Sequence, residues 1–199
     1  MVEKYPEADE KREPIESPAT LDEKALLFLM MALIVIVDQI TKMWIEIWLP
    51  LNRSWAPVDS LAPFFKFTHI SNTGAAFGLF PAGSNFFVMV AIAVTLFIVA
   101  YNYVLPANNH LFRLALGLQL GGALGNLIDR FRLGHVTDFL DFGPWPVFNV
   151  ADMSIVAGVI LLGYLLLMEE RRQLNSEDEG TEEGSSETLR QDSSMLWND

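Results

Sequence analysis

The sequence predicts an all-α membrane protein. Four transmembrane helices are expected, with a small β-sheet on the extracytoplasmic side. Three observations carry this. Of 199 residues, 51% are apolar and none is cysteine. The net charge of -12 is concentrated at the ends, since residues 1–24 hold 8 acidic and 4 basic groups and residues 169–199 hold 10 and 3. The 144 residues between hold only 7 acidic and 6 basic groups, too few for the surface of a water-soluble domain.

Four stretches are long enough to cross about 30 Å of hydrocarbon at about 1.5 Å per residue. They run from Ala25 to Leu49, Asn85 to Leu105, Leu111 to Ile128 and Phe148 to Met168. The first follows about 24 largely charged residues and lacks a small-residue cleavage site, so it reads as a retained anchor rather than a signal peptide. Residues 1–24 and 169–199, rich in Glu, Ser, Lys and Pro, read as disordered acidic cytoplasmic extensions around a membrane domain at 25–168. With both termini inside, the inner flanks hold Lys4, Lys11, Arg12, Lys24, Arg113, Arg171 and Arg172, and the outer loops hold Arg53, Lys66, Arg130 and Arg132. That bias is the expected one, and Trp44, Trp48, Trp55 and Trp145 fall where an outer aromatic belt belongs. In the outer loop from Pro50 to Ser84, Phe65, Phe67 and His69 alternate with Lys66, Thr68 and Ile70, a period of two that predicts a short sheet.

Polar residues converge toward the outer ends of these spans. Ionisable residues within a span are costly and mark function by default. Asp38, Asn126, Asp129, Asn149 and Asp152 all reach this depth, and Asp138 lies in the short connection between the third and fourth spans. Each has a plainer reading as well. Asp38 and Lys42, at i and i+4, can neutralise one another. Asn149 and Asp152 have the spacing of a helix cap with an acidic first turn. Asp129 and Arg130 can form a rim ion pair, and Asp141 reads as a solvated loop charge. His69, His110 and His135 stand in separate connections and read as solvated, without a shared metal. Gly117, Gly121 and Gly125 are two overlapping small-xxx-small pairs that allow close helix packing.

The absence of cysteine, of a Gly-x-Ser-x-Gly elbow and of His-Glu-x-x-His leaves paired carboxylates as the available chemistry. Two aspartates within hydrogen-bonding distance share one proton, so one can activate water while the other protonates a leaving amine. At a helix N-terminus Asp152 is the more easily ionised member, and Asp138 is then the proton carrier. The acidic chain offers no phosphate-binding surface for nucleic acid.

Five blocks, in order, resemble those of the lipoprotein signal peptidases (signal peptidase II). They are Asp38-Gln39-Ile40-Thr41-Lys42, Asn72-Thr73-Gly74-Ala75-Ala76-Phe77, Gly121-Gly122-Ala123-Leu124-Gly125-Asn126-Leu127-Ile128-Asp129-Arg130, Val136-Thr137-Asp138-Phe139 and Phe148-Asn149-Val150-Ala151-Asp152. The resemblance runs from Leu26 to Met168. It implies a multi-pass aspartic protease of the bacterial inner membrane with Asp138 and Asp152 catalytic. Asn72, Gly122, Asn126, Arg130, Asn149 and Ala151 would line the site, Asp129 would support it, and Asp38 and Lys42 would be structural. It further implies a membrane-embedded prolipoprotein substrate, cut N-terminal to a diacylglyceryl-modified cysteine at the outer leaflet. A globomycin-type inhibitor is expected between the aspartates, no metal or organic cofactor is implied, and the expected state is a monomer in the phospholipid bilayer. The resemblance also implies a periplasmic loop or helix over the site, whose shape the compact segment from Asp138 to Asn149 with its two prolines bears on; Val-Thr-Asp stands where Val-Val-Asp is commoner, and the tails are long. The alternative reading is a small proton-coupled transporter using Asp38, Asp129 and Asp152. Against it stand carboxylates away from the midplane and no internal repeat.

Overall fold

A computed structural model describes residues 17–74 and 83–195. Four long helices form the membrane domain: α1 (Leu21–Trp48), α2 (Gly83–Val104), α3 (His110–Leu133) and α4 (Val150–Met195). All four contain stretches long and apolar enough to cross a bilayer. Three strands, β1 (Ser54–Trp55), β2 (Lys66–Asn72) and β3 (Val136–Asp141), form an antiparallel sheet in the order β1-β2-β3. The period-two stretch is β2. The segment carrying Asp138, expected to be a connection, is instead strand β3, paired with β2 through Ile70 opposite Asp138 and Ser71 opposite Thr137.

Helix α1 starts four residues before the expected boundary. Thr20 caps it by accepting from the Glu23 N–H at 3.3 Å while Glu23 accepts from the Thr20 N–H at 2.8 Å, so Asp22 and Glu23 belong to the helix and not to the extension. Residues 1–16 of that extension lie outside the described residues. The C-terminal segment, expected to be disordered from 169, continues α4 as far as Met195. No proline follows Pro146, and Glu169 to Leu174 are mostly good helix formers, so nothing stops the helix where it leaves the apolar stretch. Of the outer connection from Pro50 to Ser84, residues 75–82 lie outside the described residues.

Helix α3 is the centre of the bundle. Its fully buried residues include Ala115, Leu120, Arg113 and Asp129, while α1, α2 and α4 turn Leu33, Ile36, Leu96, Phe97, Val159 and Ile160 outward. Lipid is as apolar as these side chains, so hydrophobicity alone does not drive the helices together; close van der Waals approach does. A Cβ on Gly117 would lie 2.8 Å from the Leu27 carbonyl oxygen, and one on Gly121 would lie 2.7 Å from the Ile34 Cβ. The glycine stripe is therefore the seat of α1. On the other side of α3, a Cβ on Gly122 would collide with the Ala151 carbonyl oxygen of α4. Arg113, buried, donates to the carbonyls of Leu105 and Pro106 at 2.7 and 3.0 Å and so satisfies the end of α2.

The sheet is tied to α1 by aromatic rings. Trp44 stacks on Trp48 at 5.1 Å, Trp48 meets Trp55 edge-on at 4.8 Å, and Trp55 stacks on Phe67 of β2 at 6.1 Å. His69 is buried, not solvated, with Nδ1 2.7 Å from the Leu49 carbonyl oxygen. Asp141 is also no loop charge: it ends β3, is 7% exposed, accepts from the Thr68 hydroxyl at 2.6 Å and pairs with Lys66 at 3.5 Å.

If α1 and α3 depend on this contact, Gly121→Val should lower stability by about 1–3 kcal/mol, the usual cost of overpacking a tight interface. Thermal unfolding in detergent checks it, and an unchanged melting temperature would remove the glycine seat.

Candidate active site

Lys42 lies on α1 one turn beyond Asp38, and both side chains are fully buried. An ammonium has three N–H donors. Here each has an acceptor at 2.9 Å: Asp38 Oδ2, Asp129 Oδ2 and Asn126 Oδ1. The expected Asp38–Lys42 neutralisation is present, but the possible Asp129–Arg130 rim pair is not. Asp129 faces inward to Lys42, because its helix position points it at α1. Arg130 lies over the Phe87 ring at 5.4 Å and donates to the Asn126 carbonyl at 3.3 Å.

The cation fixes what lies beyond it. Lysine can only donate, so the Asn126 carboxamide must turn its oxygen to Lys42 and its NH2 outward, where Nδ2 donates to Asp152 Oδ1 at 2.7 Å. Asn149 Nδ2 donates both to that Asn126 oxygen at 3.1 Å and to Asp138 Oδ1 at 2.6 Å. Asn72, at the end of β2, donates to Asp138 Oδ2 at 2.8 Å. Asn149 precedes α4 and accepts from the Asp152 N–H at 3.0 Å, while Asp152 Oδ2 accepts from the Asn149 N–H at 3.3 Å. The expected cap is therefore reciprocal, and it orients Asp152. Asp38 Oδ1 accepts from the Ala151 N–H at 2.9 Å, which binds the same helix end to α1.

The structure thus brings Asp38, Lys42, Asn72, Asn126, Asp129, Asp138, Asn149, Ala151 and Asp152 into one network. Gly122 serves it by letting α4 approach α3, and Arg130 stands at its edge. A recess of about 330 Å³ between α2, α3 and α4 is lined by Asn126, Arg130, Asp152 and apolar side chains including Val90 and Ile155. A second, almost wholly apolar trough of about 460 Å³ runs along α4 from Phe148 past Val156 to Ile160 and also reaches Asp152. Burial pushes the Asp138 carboxyl up to about 6, and the nearby Asp152 charge adds to this, against the opposing hydrogen bonds from Asn72 and Asn149.

Two polar residues were given no role in the sequence reading. Gln39 donates to Asp38, to the Gly125 carbonyl and to Asp129, at 3.2, 3.1 and 2.9 Å. Glu46 accepts from the Thr137 hydroxyl at 2.9 Å and from Arg132. A signal for Glu46 was present, since Asp38, Lys42 and Glu46 recur at i, i+4 and i+8 on one helix face.

The family model described as signal peptidase (SPase) II matches residues 30–168. The chain belongs to the signal peptidase II family. It is similar to the lipoprotein signal peptidase of Moorella thermoacetica, 48% identical over 147 residues that span 73% of this chain and 96% of that protein. The corresponding protein of Halothermothrix orenii is 36% identical over 73% of this chain and 98% of its own length. Two solved structures, each described as a bacterial membrane enzyme structure obtained by the in meso method, superpose with a TM-score of 0.67 at 30% identity. One alignment covers 79% of this chain and 94% of that chain, the other 77% and 98%. Family membership makes this chain a peptidase and, with its four apolar helices, a multi-pass protein of the bacterial inner membrane.

Asp138 binds its proton more tightly in the fold than at its ordinary value of 3.8, so its contribution to stability falls as pH rises from about 4 to about 6 and is level above that. The total change is at most about 3 kcal/mol. Melting temperatures measured from pH 4 to 7 should therefore shift steadily in favour of Asp138→Asn relative to the parent, whereas parallel curves would mean that Asp138 carries no such penalty.

Proposed function

We propose that the chain is an aspartic endopeptidase that removes the signal peptide from diacylglyceryl-modified prolipoproteins, cutting N-terminal to the lipidated cysteine. The observation that carries this reading is the pair Asp138 and Asp152, linked through Asn126 and Asn149, with Asp152 lining a recess between membrane helices. The similarity to lipoprotein signal peptidases supports the substrate class.

In this reading Asp138 holds the shared proton. Its carboxyl is the one held near 6 by burial and by its neighbour, and Asp152 sits at the N-terminus of α4, where the helix dipole favours negative charge. Asp152 takes a proton from water, the hydroxide attacks the scissile carbonyl, and Asp138 protonates the departing amide nitrogen. Asn72 and Asn149 hold the Asp138 oxygens from two sides, which keeps the acid aimed while its proton leaves. Arg130 lines the recess beside Asn126 and Asp152, which supports a role for it in receiving a substrate carbonyl. The trough along α4 offers an apolar bed for lipid chains that ends at Asp152.

The bias of Lys and Arg toward the flanks of the termini supports a cytoplasmic location for both ends, and hence a site at the outer leaflet. We expect the enzyme to act as a monomer and a globomycin-type inhibitor to lodge between Asp138 and Asp152.

Purified protein incubated with a diacylglyceryl-modified prolipoprotein should release the signal peptide, and globomycin should block the release. Asp138→Asn and Asp152→Asn should each lower the rate at least about 10²-fold, the range for loss of a positioned acid or base, with the helical circular dichroism unchanged. Turnover retained by either folded variant would remove the dyad. Absence of any globomycin-sensitive product would favour the proton-coupled transporter.

A further inference from the structure

Of the polar side chains that line the recess between α2, α3 and α4, Asn126, Arg130 and Asp152 belong to the site or its edge, and Gln119 does not. It lies seven residues before Asn126 on α3, two turns away on the same face and about 10 Å further along the span. The wall between is apolar, with Ala91 and Val94 of α2, Ala123 of α3 and Ile155 of α4. An amide in such surroundings costs free energy unless its hydrogen bonds are made. Those of Gln119 are not: Nε2 reaches the Ala115 carbonyl at 3.4 Å, an oxygen that the helix ladder already uses, and Oε1 has no partner among the described residues. The stem of the side chain is held against α4, where a Cβ on Gly158 would lie 2.7 Å from Gln119 Cγ, and this leaves the amide to the recess. A polar group carried inside a span at this cost marks the path of a ligand.

A peptide bond open to water and two carboxylates cannot lie within a helix, whose own hydrogen bonds and side chains enclose it, so the substrate is extended around the cut. An extended segment has no internal hydrogen bonds, and the hydrocarbon layer offers no water to replace them. At about 3.3 Å per residue, the distance from Asn126 to Gln119 is about three residues of such a segment. A carboxamide both donates and accepts, which suits it to the C=O and N–H of one extended residue. We propose that Gln119 is a substrate-binding residue: it pairs through Nε2 and Oε1 with the backbone C=O and N–H of the signal-peptide residue about three positions N-terminal of the cut, and so holds the peptide in register with the two aspartates. The proposal rests on the reading of Asp138 and Asp152 as the catalytic pair, with the recess as the path of the peptide.

The test uses the full chain in detergent with a synthetic diacylglyceryl-modified peptide spanning the cut. One backbone N–H at a time, from the second to the fifth residue N-terminal of the cut, is replaced by an ester oxygen. With the parent enzyme kcat/KM should fall most, about fivefold, when the replaced group is that of the third or fourth residue, the effect of one lost hydrogen bond. Gln119→Met keeps the unbranched stem and removes both polar atoms; it should lower kcat/KM for the all-amide peptide at least about fivefold, and the same ester should then cost it nothing further. The ester profile of the parent needs no variant and decides the matter even if Gln119→Met does not fold. A flat ester profile, full kcat/KM in Gln119→Met, or additive losses for variant and ester would each overturn the proposal. Cleavage of the all-amide peptide by Asp138→Asn would instead fail the underlying reading and take the proposal with it, so the two failures are told apart.

Discussion

One buried ammonium group sets the orientation of everything around it. Lys42 spends its three donors on Asp38, Asp129 and Asn126, each at 2.9 Å. Taking a charge out of water costs several kcal/mol per ion, and only good geometry with complete hydrogen bonding offsets that cost. Two carboxylates and an amide oxygen provide such completion here. Because the third acceptor is a carboxamide, the cation also dictates which end of Asn126 faces Asp152. A donor at one end of the chain thereby makes donors of Asn126 and Asn149 at the other, and acceptors of Asp152 and Asp138.

Packing in the membrane makes this possible. Side chains of α1, α2 and α4 face outward with ordinary lipid-like apolarity, so the bundle can give its interior to small and polar residues. Gly125 shows the link most directly: a Cβ there would lie 2.5 Å from Asp38 Oδ2. The glycine stripe that seats α3 on α1 is continuous with the space that admits the ion cluster, and Gly122 does the same for α4. Helix packing and site geometry are one constraint read at two depths.

Much of this was legible in the sequence. The four spans were found because apolar length is dictated by bilayer thickness, and the glycines because small residues at a spacing of four mark a helix interface. The convergence of Asp38, Asn126, Asp129, Asp138, Asn149 and Asp152 followed from counting rise per residue along spans of alternating direction. What was missed depends on tertiary contact. Asp129 was weighed as a partner of its neighbour Arg130, yet it turns to Lys42 on another helix. His69 and Asp141 looked solvated because their burial comes from the sheet and the aromatic cluster, not from local sequence. Val136–Asp141 looked like a connection because its pairing partner lies some 66 residues upstream. The C-terminal segment was read from composition alone, and composition does not register that a helix already begun at Val150 propagates easily.

The most direct measurement is on Lys42→Met, which keeps the length of the side chain and removes the charge. Without the cation, Asp38 and Asp129 are left buried with no counter-charge and Asn126 is free to turn over. The account predicts a stability loss of about 3–5 kcal/mol in chemical unfolding. It also predicts prolipoprotein cleavage lowered at least about tenfold in the folded fraction, since Asp138 and Asp152 lose their alignment. Unchanged unfolding and unchanged cleavage in Lys42→Met would contradict it, for the two aspartates would then be held by something other than the buried ammonium.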